Sequence, residues 1–283
     1  MSSADLIRRS QIFIAFCAVA MGAETYLITG QEMEPVVLAV IFFASLFIYN
    51  ASRLSISFHR IHDSGKYTFQ ADGNPLSIIF CCISLVALFA LLTACTWQQL
   101  LVFITASILS LAYMMPFKRH GRQLEGLRRN LFLKNIILSL TWATSTVLLP
   151  IVLYNFQPIT GEVVFMFARR FFFIYSLAVI YDLRDVEADT RVGMETIAVK
   201  FGEKLTQQLS LVSLLLFVIF TVTDPFLAHP EMRPHAIALL LSAFGAALVI
   251  LNTHYILNKS YYSLVVDAAM VLQFLLVLLS GHI

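Results

Sequence analysis

Phe171-Phe172-Phe173-Ile174-Tyr175-Ser176-Leu177-Ala178-Val179-Ile180-Tyr181-Asp182-Leu183-Arg184-Asp185-Val186-Glu187-Ala188-Asp189 runs from an apolar stretch straight into three aspartates. If the helix continues at about 100° per residue, positions 182, 185 and 189 fall within roughly 60° of one another, and Arg184 and Glu187 point elsewhere. Carboxylates gathered at the mouth of an apolar segment are costly unless paired or bound to a cation. Hard oxygen ligands of this kind suit Mg²⁺, which usually shares its shell between one or two carboxylates and phosphate oxygens. A solvated charge cluster beside the membrane is the other reading of this spacing.

Working outward, the composition makes the apolar stretch one of many. The chain has 283 residues, 59% of them apolar and only 13% charged, with a mean hydropathy of +0.82. The apolar residues come in long runs, which excludes an ordinary soluble globule. A bilayer-crossing helix needs about 20 mostly apolar residues. On that template nine spans are expected, near 11–29, 36–57, 76–95, 98–116, 131–152, 162–181, 206–226, 234–256 and 262–281. Pro35, Pro75, Pro116, Pro150, Pro158, Pro225 and Pro234 fall at or between their edges, where helices are punctuated. No linker or low-complexity tract divides the chain, so the expectation is one all-α integral-membrane domain over 1–283. Cys17, Cys81, Cys82 and Cys95 all lie in apolar segments without ligand spacing and read as reduced.

Charge placement orients these spans. Every Lys and Arg falls on the N-terminal side of the membrane except Arg233, on the opposite side, and Arg169 and Arg170, within the sixth span. The positive-inside rule then puts the N-terminus and the aspartates in the cytoplasm and the C-terminus across an inner or plasma membrane. Three cytoplasmic loops are longer and more polar than the rest: Asn50 to Pro75, Phe117 to Arg129 and Asp182 to Leu205. The basic residues around the second fit attraction to anionic lipid and fit the wall of an anion site equally well. Lys118 and Arg119, directly after the helix end at Tyr113–Pro116, are the better candidates for the site.

The segment from Tyr181 through Asp182, Asp185, Asp189, Gly193 and Thr196 to Gly202 resembles the second aspartate motif of UbiA-type intramembrane prenyltransferases. Tyr113-Met-Met-Pro-Phe-Lys118-Arg119 is similar to that family's tyrosine-then-basic motif, with altered spacing. Nine spans with long loops after the second and sixth extend the likeness along nearly the whole chain. The resemblance implies a helical bundle open to lipid under a cytoplasmic polar cap. It also implies an enzyme that ionises an isoprenyl diphosphate with Mg²⁺ and passes the carbocation to a lipophilic or aromatic acceptor. Membrane lipid is then a partner and nucleic acid is not. Asp182, Asp185 and Asp189 become metal ligands, and Lys118 and Arg119 diphosphate contacts, with Tyr113, Ser57 and Arg184 as further substrate-binding candidates.

The first aspartate motif of the family is rewritten here. Its place reads Tyr49-Asn50-Ala51-Ser52-Arg53-Leu54-Ser55-Ile56-Ser57, so Asn50 is kept and the aspartates are not. Asn50, Arg53 and Ser57 repeat the spacing of Asp182, Asp185 and Asp189 and would share a helix face. Arg53 supplies a fixed cation and a bidentate phosphate donor. The expectation is that it replaces one metal and leaves a single Mg²⁺ on the Asp182 side, with Asn50 and Arg53 among the catalytic residues. The alternative is a structural pairing of Arg53 with Asp182 or Asp185. His59, Arg60, His62 and Asp63 lack a third convincing metal ligand and read as interfacial loop, and Asp72 carries no specific signal.

Glu24 and the Arg169–Arg170 pair fall at similar depth in the outer half of the membrane, so a buried ion pair is expected. Asp267 and Asn252 are expected to touch across the last hairpin. Lys134 and Asn135, near the start of the fifth span, are candidates for facing the cavity. Phe165, Phe167, Phe171, Phe172 and Phe173 read as membrane packing or as the lining of a prenyl tunnel. Rivals to prenyl transfer are a membrane terpene cyclase without an acceptor and a non-catalytic isoprenoid-binding protein. A transporter fits less well, because the polar residues gather at one face.

Overall fold

The computed structural model describes residues 11–57, 75–114, 118–119, 122–123, 133–152, 161–191, 196–225, 227–256 and 262–281. Its helices are α1 (Ile12–Thr29), α2 (Pro35–Ser57), α3 (Pro75–Leu92), α4 (Trp97–Met114) and α5 (Leu133–Ala143). A π turn, Thr144–Leu148, leads into the short α6 (Leu149–Ile151). There follow α7 (Gly161–Tyr181), a 3-10 turn at Asp182–Asp185, α8 (Val186–Arg191), α9 (Ile197–Val222), α10 (Arg233–Leu251), α11 (Thr253–Ile256) and α12 (Tyr262–Ser280). The only extended structure among the described residues is an antiparallel ladder of two residues a side, β1 (Lys118–Arg119) with β2 (Arg122–Gln123).

The all-α expectation therefore holds. Seven of the described helices are long and apolar enough to cross a bilayer, and the helix Trp97–Ala112 is apolar but shorter. Phe89 and Val86 are 79% and 72% exposed, with Phe244 and Ile108 close behind. So much exposed apolar surface suits lipid and not water. This is an integral-membrane protein.

Two helix boundaries differ from expectation. The seventh span, expected from 206, begins at Ile197, because Thr196 caps α9 by accepting a hydrogen bond from Val199 N at 3.3 Å. The helix then bends at Gly202, whose φ of 78° and ψ of 178° lie where only glycine sits without strain. The eighth span, expected to reach 256, ends at Leu251 and resumes as α11.

The helices pack in a chain of neighbours: α2 on α1, α1 on α12, then α12 on α10, α10 on α9, α9 on α7, α7 on α5 and α5 on α4. Helix α3 packs on α2 and barely meets α4. The gap opens a cavity of ≈ 720 Å³ between α2, α3, α4 and α5. Leu85, Val86 and Phe89 line it and are also widely exposed, so it opens sideways to the bilayer.

Buried charges hold the far end of the bundle, opposite the aspartates. Arg170 pairs with Glu24 at 3.1 Å, as expected, and also donates to Met21 O at 2.6 Å and Thr146 Oγ1 at 3.2 Å. Gln273 donates to the same Glu24 oxygen at 3.3 Å. Arg169 takes a different partner, Asp224, beyond the end of α9. The π turn belongs to this cluster. Pro150 has no N–H for Thr146 O, the partner it would have in an α-helix. Thr25 Oγ1 donates to that carbonyl instead, at 2.7 Å.

One other expectation is corrected, and the phenylalanines follow the membrane-packing reading. Asp267 accepts from Tyr181 OH at 3.3 Å, while the Asn252 amide donates to Leu248 O in its own helix at 2.8 Å. The phenylalanines pack between helices: Phe165 and Phe172 on Phe220, Phe173 on Phe217. None of them lines the cavity.

Candidate functional site

The aspartate motif does not continue α7 as an α-helix. At Asp182–Asp185 the chain tightens to a 3-10 turn, then resumes as α8. A 3-10 turn has three residues per turn, so it keeps Asp182 and Asp185 on one side. The α12 end buttresses the turn. Tyr262 OH donates to Ile180 O at 2.7 Å, and the Tyr181 ring lies 4.6 Å under the Arg184 guanidinium. Arg184 also donates to Ser263 Oγ.

Asp182 is 3% exposed, and both of its oxygens have protein partners. Lys134 Nζ donates to Oδ1 at 2.6 Å and Asn135 Nδ2 to Oδ2 at 2.9 Å. Both donors come from the first turn of α5 and are themselves buried. Asp185 is bracketed by its neighbour: Arg184 Nε and Nη2 donate to its two oxygens at 2.8 and 2.9 Å. This pair is exposed, at 39% and 38%, so it can exchange partners at little cost. Asp189 is buried on α8. Asp182 and Asp185 are thus both in ion pairs within the protein.

The facing helix is partly visible. Asn50 is buried on α2 and donates from Nδ2 to Leu46 O at 2.8 Å. Arg53 and Ser57 follow on the same helix and Tyr113 lies at the end of α4, but their side chains lie outside the described residues. The same holds for Lys118 and Arg119, whose backbone pairs with Gln123 and Arg122. His59, Arg60, His62, Asp63, Asp72 and Gly193 lie outside the described residues altogether.

The cavity starts just below this polar cluster. Leu138, one turn along α5 from Lys134, lines it, as do Tyr49 and Ser52, which flank Asn50 and Arg53 in sequence. Trp142 Nε1 donates to Tyr49 OH at 3.0 Å and joins the α2 and α5 walls. The arrangement is amphipathic: charged groups at the mouth, an apolar chamber beneath, and a side opening to lipid. It would take a ligand with an anionic head and a hydrocarbon tail.

The family model described as UbiA prenyltransferase family matches residues 75–275. The chain belongs to this family. Solved structures carry the same fold. A UbiA homolog from Archaeoglobus fulgidus bound to GPP and Mg²⁺ superimposes with a TM-score of 0.62 and 15% identity, covering 99% of this chain and 98% of its own. A structure described for digeranylgeranylglyceryl phosphate synthase gives a TM-score of 0.58 and 15% identity, over 98% and 100% of the two chains. A UbiA homolog from Aeropyrum pernix K1 gives 0.54 at 15% identity, over 95% of each chain. No curated protein matches the sequence.

A metal ion is implied by this UbiA membership, and the donor set at Asp182 does not fit one. Each Asp182 oxygen already accepts from Lys134 or Asn135. Among the described residues no group of three or more His, Cys, Asp or Glu side chains could hold a metal ion. Lys134 and Asn135, expected only as candidates for facing the cavity, are the Asp182 partners that the sequence did not assign. Their signal was a lysine and an asparagine placed together at the start of an apolar helix, but only the fold shows what they face.

Proposed function

We propose that this UbiA family member transfers an isoprenyl group from an isoprenyl diphosphate to a lipophilic or aromatic acceptor within the membrane. The observation that carries this reading is the apolar, lipid-open cavity that begins one turn along α5 from the Asp182–Lys134–Asn135 cluster. The diphosphate would rest at the cluster and the isoprenyl chain in the cavity. Cleavage of the allylic C–O bond sends its electron pair to the diphosphate, whose growing negative charge Lys134 and Arg184 would stabilise. The apolar walls keep water from the carbocation. An acceptor carbon then bonds to it and, on an aromatic ring, loses a proton.

Arg184 can leave Asp185 for the diphosphate, which accounts for its place among the substrate contacts. Arg53, Ser57, Tyr113, Lys118 and Arg119 are proposed as further contacts, and Asn50 as a polar group at the head of the cavity. Mg²⁺ belongs to the proposal as an ion held chiefly by diphosphate oxygens, with Asp185 and Asp189 as its carboxylate candidates. Two of the solved relatives are described with Mg²⁺ and an isoprenyl diphosphate, DMAPP or GPP. The cluster would face the cytoplasm, the N-terminus lying on that side and the C-terminus across the membrane.

Purified protein incubated with isoprenyl diphosphates of several lengths should release diphosphate faster when aromatic acceptors are present. Hydrocarbon products without an acceptor would identify a cyclase. Binding without turnover, across a full acceptor panel, would identify the non-catalytic relative that the missing first-motif aspartates allow. Failure to bind any isoprenyl diphosphate would sink the proposal.

A further inference from the structure

Lys134 is a charged side chain fixed where a metal would otherwise meet Asp182. Its ammonium lies 2.6 Å from Asp182 Oδ1, both groups are buried, and Asn135 covers the second oxygen at 2.9 Å. An ammonium 2.6 Å from a carboxylate oxygen repels a divalent cation on that oxygen, strongly in a poorly solvated pocket, so the two compete for it. They are therefore alternatives. The neighbouring helix agrees with this choice: where two aspartate clusters would face each other, α2 presents Asn50 and Arg53 in sequence and no carboxylate between Pro35 and Ser57.

We propose that Lys134 is the resident cation of this site, held by Asp182 and Asn135, and that it binds the diphosphate head directly and without a metal at Asp182. Asp182 is then a positioning residue for Lys134. Lysine suits this role because its ammonium has three donors that can be divided between a carboxylate and phosphate oxygens. Leu138, one turn further along α5, lines the cavity, so a head on Lys134 places its tail at the cavity entrance. This inference rests on the isoprenyl diphosphate reading above.

The test measures binding of geranylgeranyl diphosphate to the full-length protein in detergent, with Mg²⁺ and with excess EDTA. Mn²⁺ binding without substrate is measured separately by electron paramagnetic resonance. The wild type should keep its diphosphate affinity in EDTA to within about tenfold. Lys134→Gln should weaken EDTA binding by about tenfold or more, the loss expected for a charged hydrogen-bond donor. Lys134→Arg should restore most of it, and this variant also guards against misfolding as the cause. Freed of its lysine, Asp182 should give Lys134→Gln a Mn²⁺ site that the wild type lacks and that a second change, Asp182→Asn, removes.

Wild-type binding lost in EDTA, together with a wild-type Mn²⁺ site that Asp182→Asn removes, would overturn this inference and leave the prenyl-transfer reading standing. So would Lys134→Gln binding in EDTA as well as the wild type does. No binding under either condition would overturn both.

Discussion

At the residue scale the molecule depends on how it pays for charges kept away from water. Glu24 and Arg170 are each about 2% exposed at the side chain and are 3.1 Å apart. Removing one partner from such a pair strands the other, at a cost of about 3–5 kcal/mol. Arg170→Met should therefore lower the melting temperature sharply in detergent, with much of the loss recovered by adding Glu24→Gln. An unchanged melting temperature in the single variant would remove the pair from the account of stability. At the motif end the same physics operates with an opposite balance of exposure. Asp182 is buried with two donors, whereas Asp185 and Arg184 are open and exchangeable. Asp182→Asn should thus disturb Lys134 and the whole mouth. Asp185→Asn should leave the fold alone.

At the scale of the element, three departures from regular helix shape the bundle. The 3-10 turn at Asp182–Asp185 meets the start of α12, the π turn at Thr144–Leu148 continues α5 beside Arg170, and Gly202 kinks α9. Gly202 is the cleanest to test. A Cβ there would meet no atom within 4 Å, so the cost of Gly202→Ala is purely that of its positive φ. About 1–3 kcal/mol is expected, read as a lower melting temperature. Wild-type melting would show that the kink relaxes without penalty. The family motif contained Thr196 and Gly202, and their roles here are mechanical: one starts a helix and the other turns it. A sequence shows such residues plainly, since capping and positive φ are local properties. It does not show the π turn, because Pro150 marks a break without saying which side chain will cover the freed Thr146 carbonyl.

For the whole molecule, the side slot between α3 and α4 and the charged mouth make one amphipathic chamber open to lipid. Its proposed orientation rests on Lys and Arg placement. A reporter at the C-terminus should be shielded from a cytoplasmic probe, and one joined beside Gln123 should be reached by it. The reverse pattern would invert the cytoplasmic assignment of the site. Spacing placed Asp182, Asp185 and Asp189 on one face and Asn50, Arg53 and Ser57 on another, yet partners differed where separate helices met. Arg169 found Asp224 instead of Glu24, and Asp267 found Tyr181 instead of Asn252.

The sequence by itself determined that this is an all-α membrane protein, roughly where most of its apolar helices run, and that a UbiA-type aspartate motif stands at one end. Those properties follow from hydropathy, helical period and local capping, which act over a few neighbouring residues. Only the tertiary structure decided what the aspartates touch. Asp182 and Lys134 are 48 residues apart, and no helical period relates two helices to each other. Burial does: once α5 packs on α7, a carboxylate and an ammonium kept from water must satisfy each other, and a motif that reads as a metal cage holds a lysine.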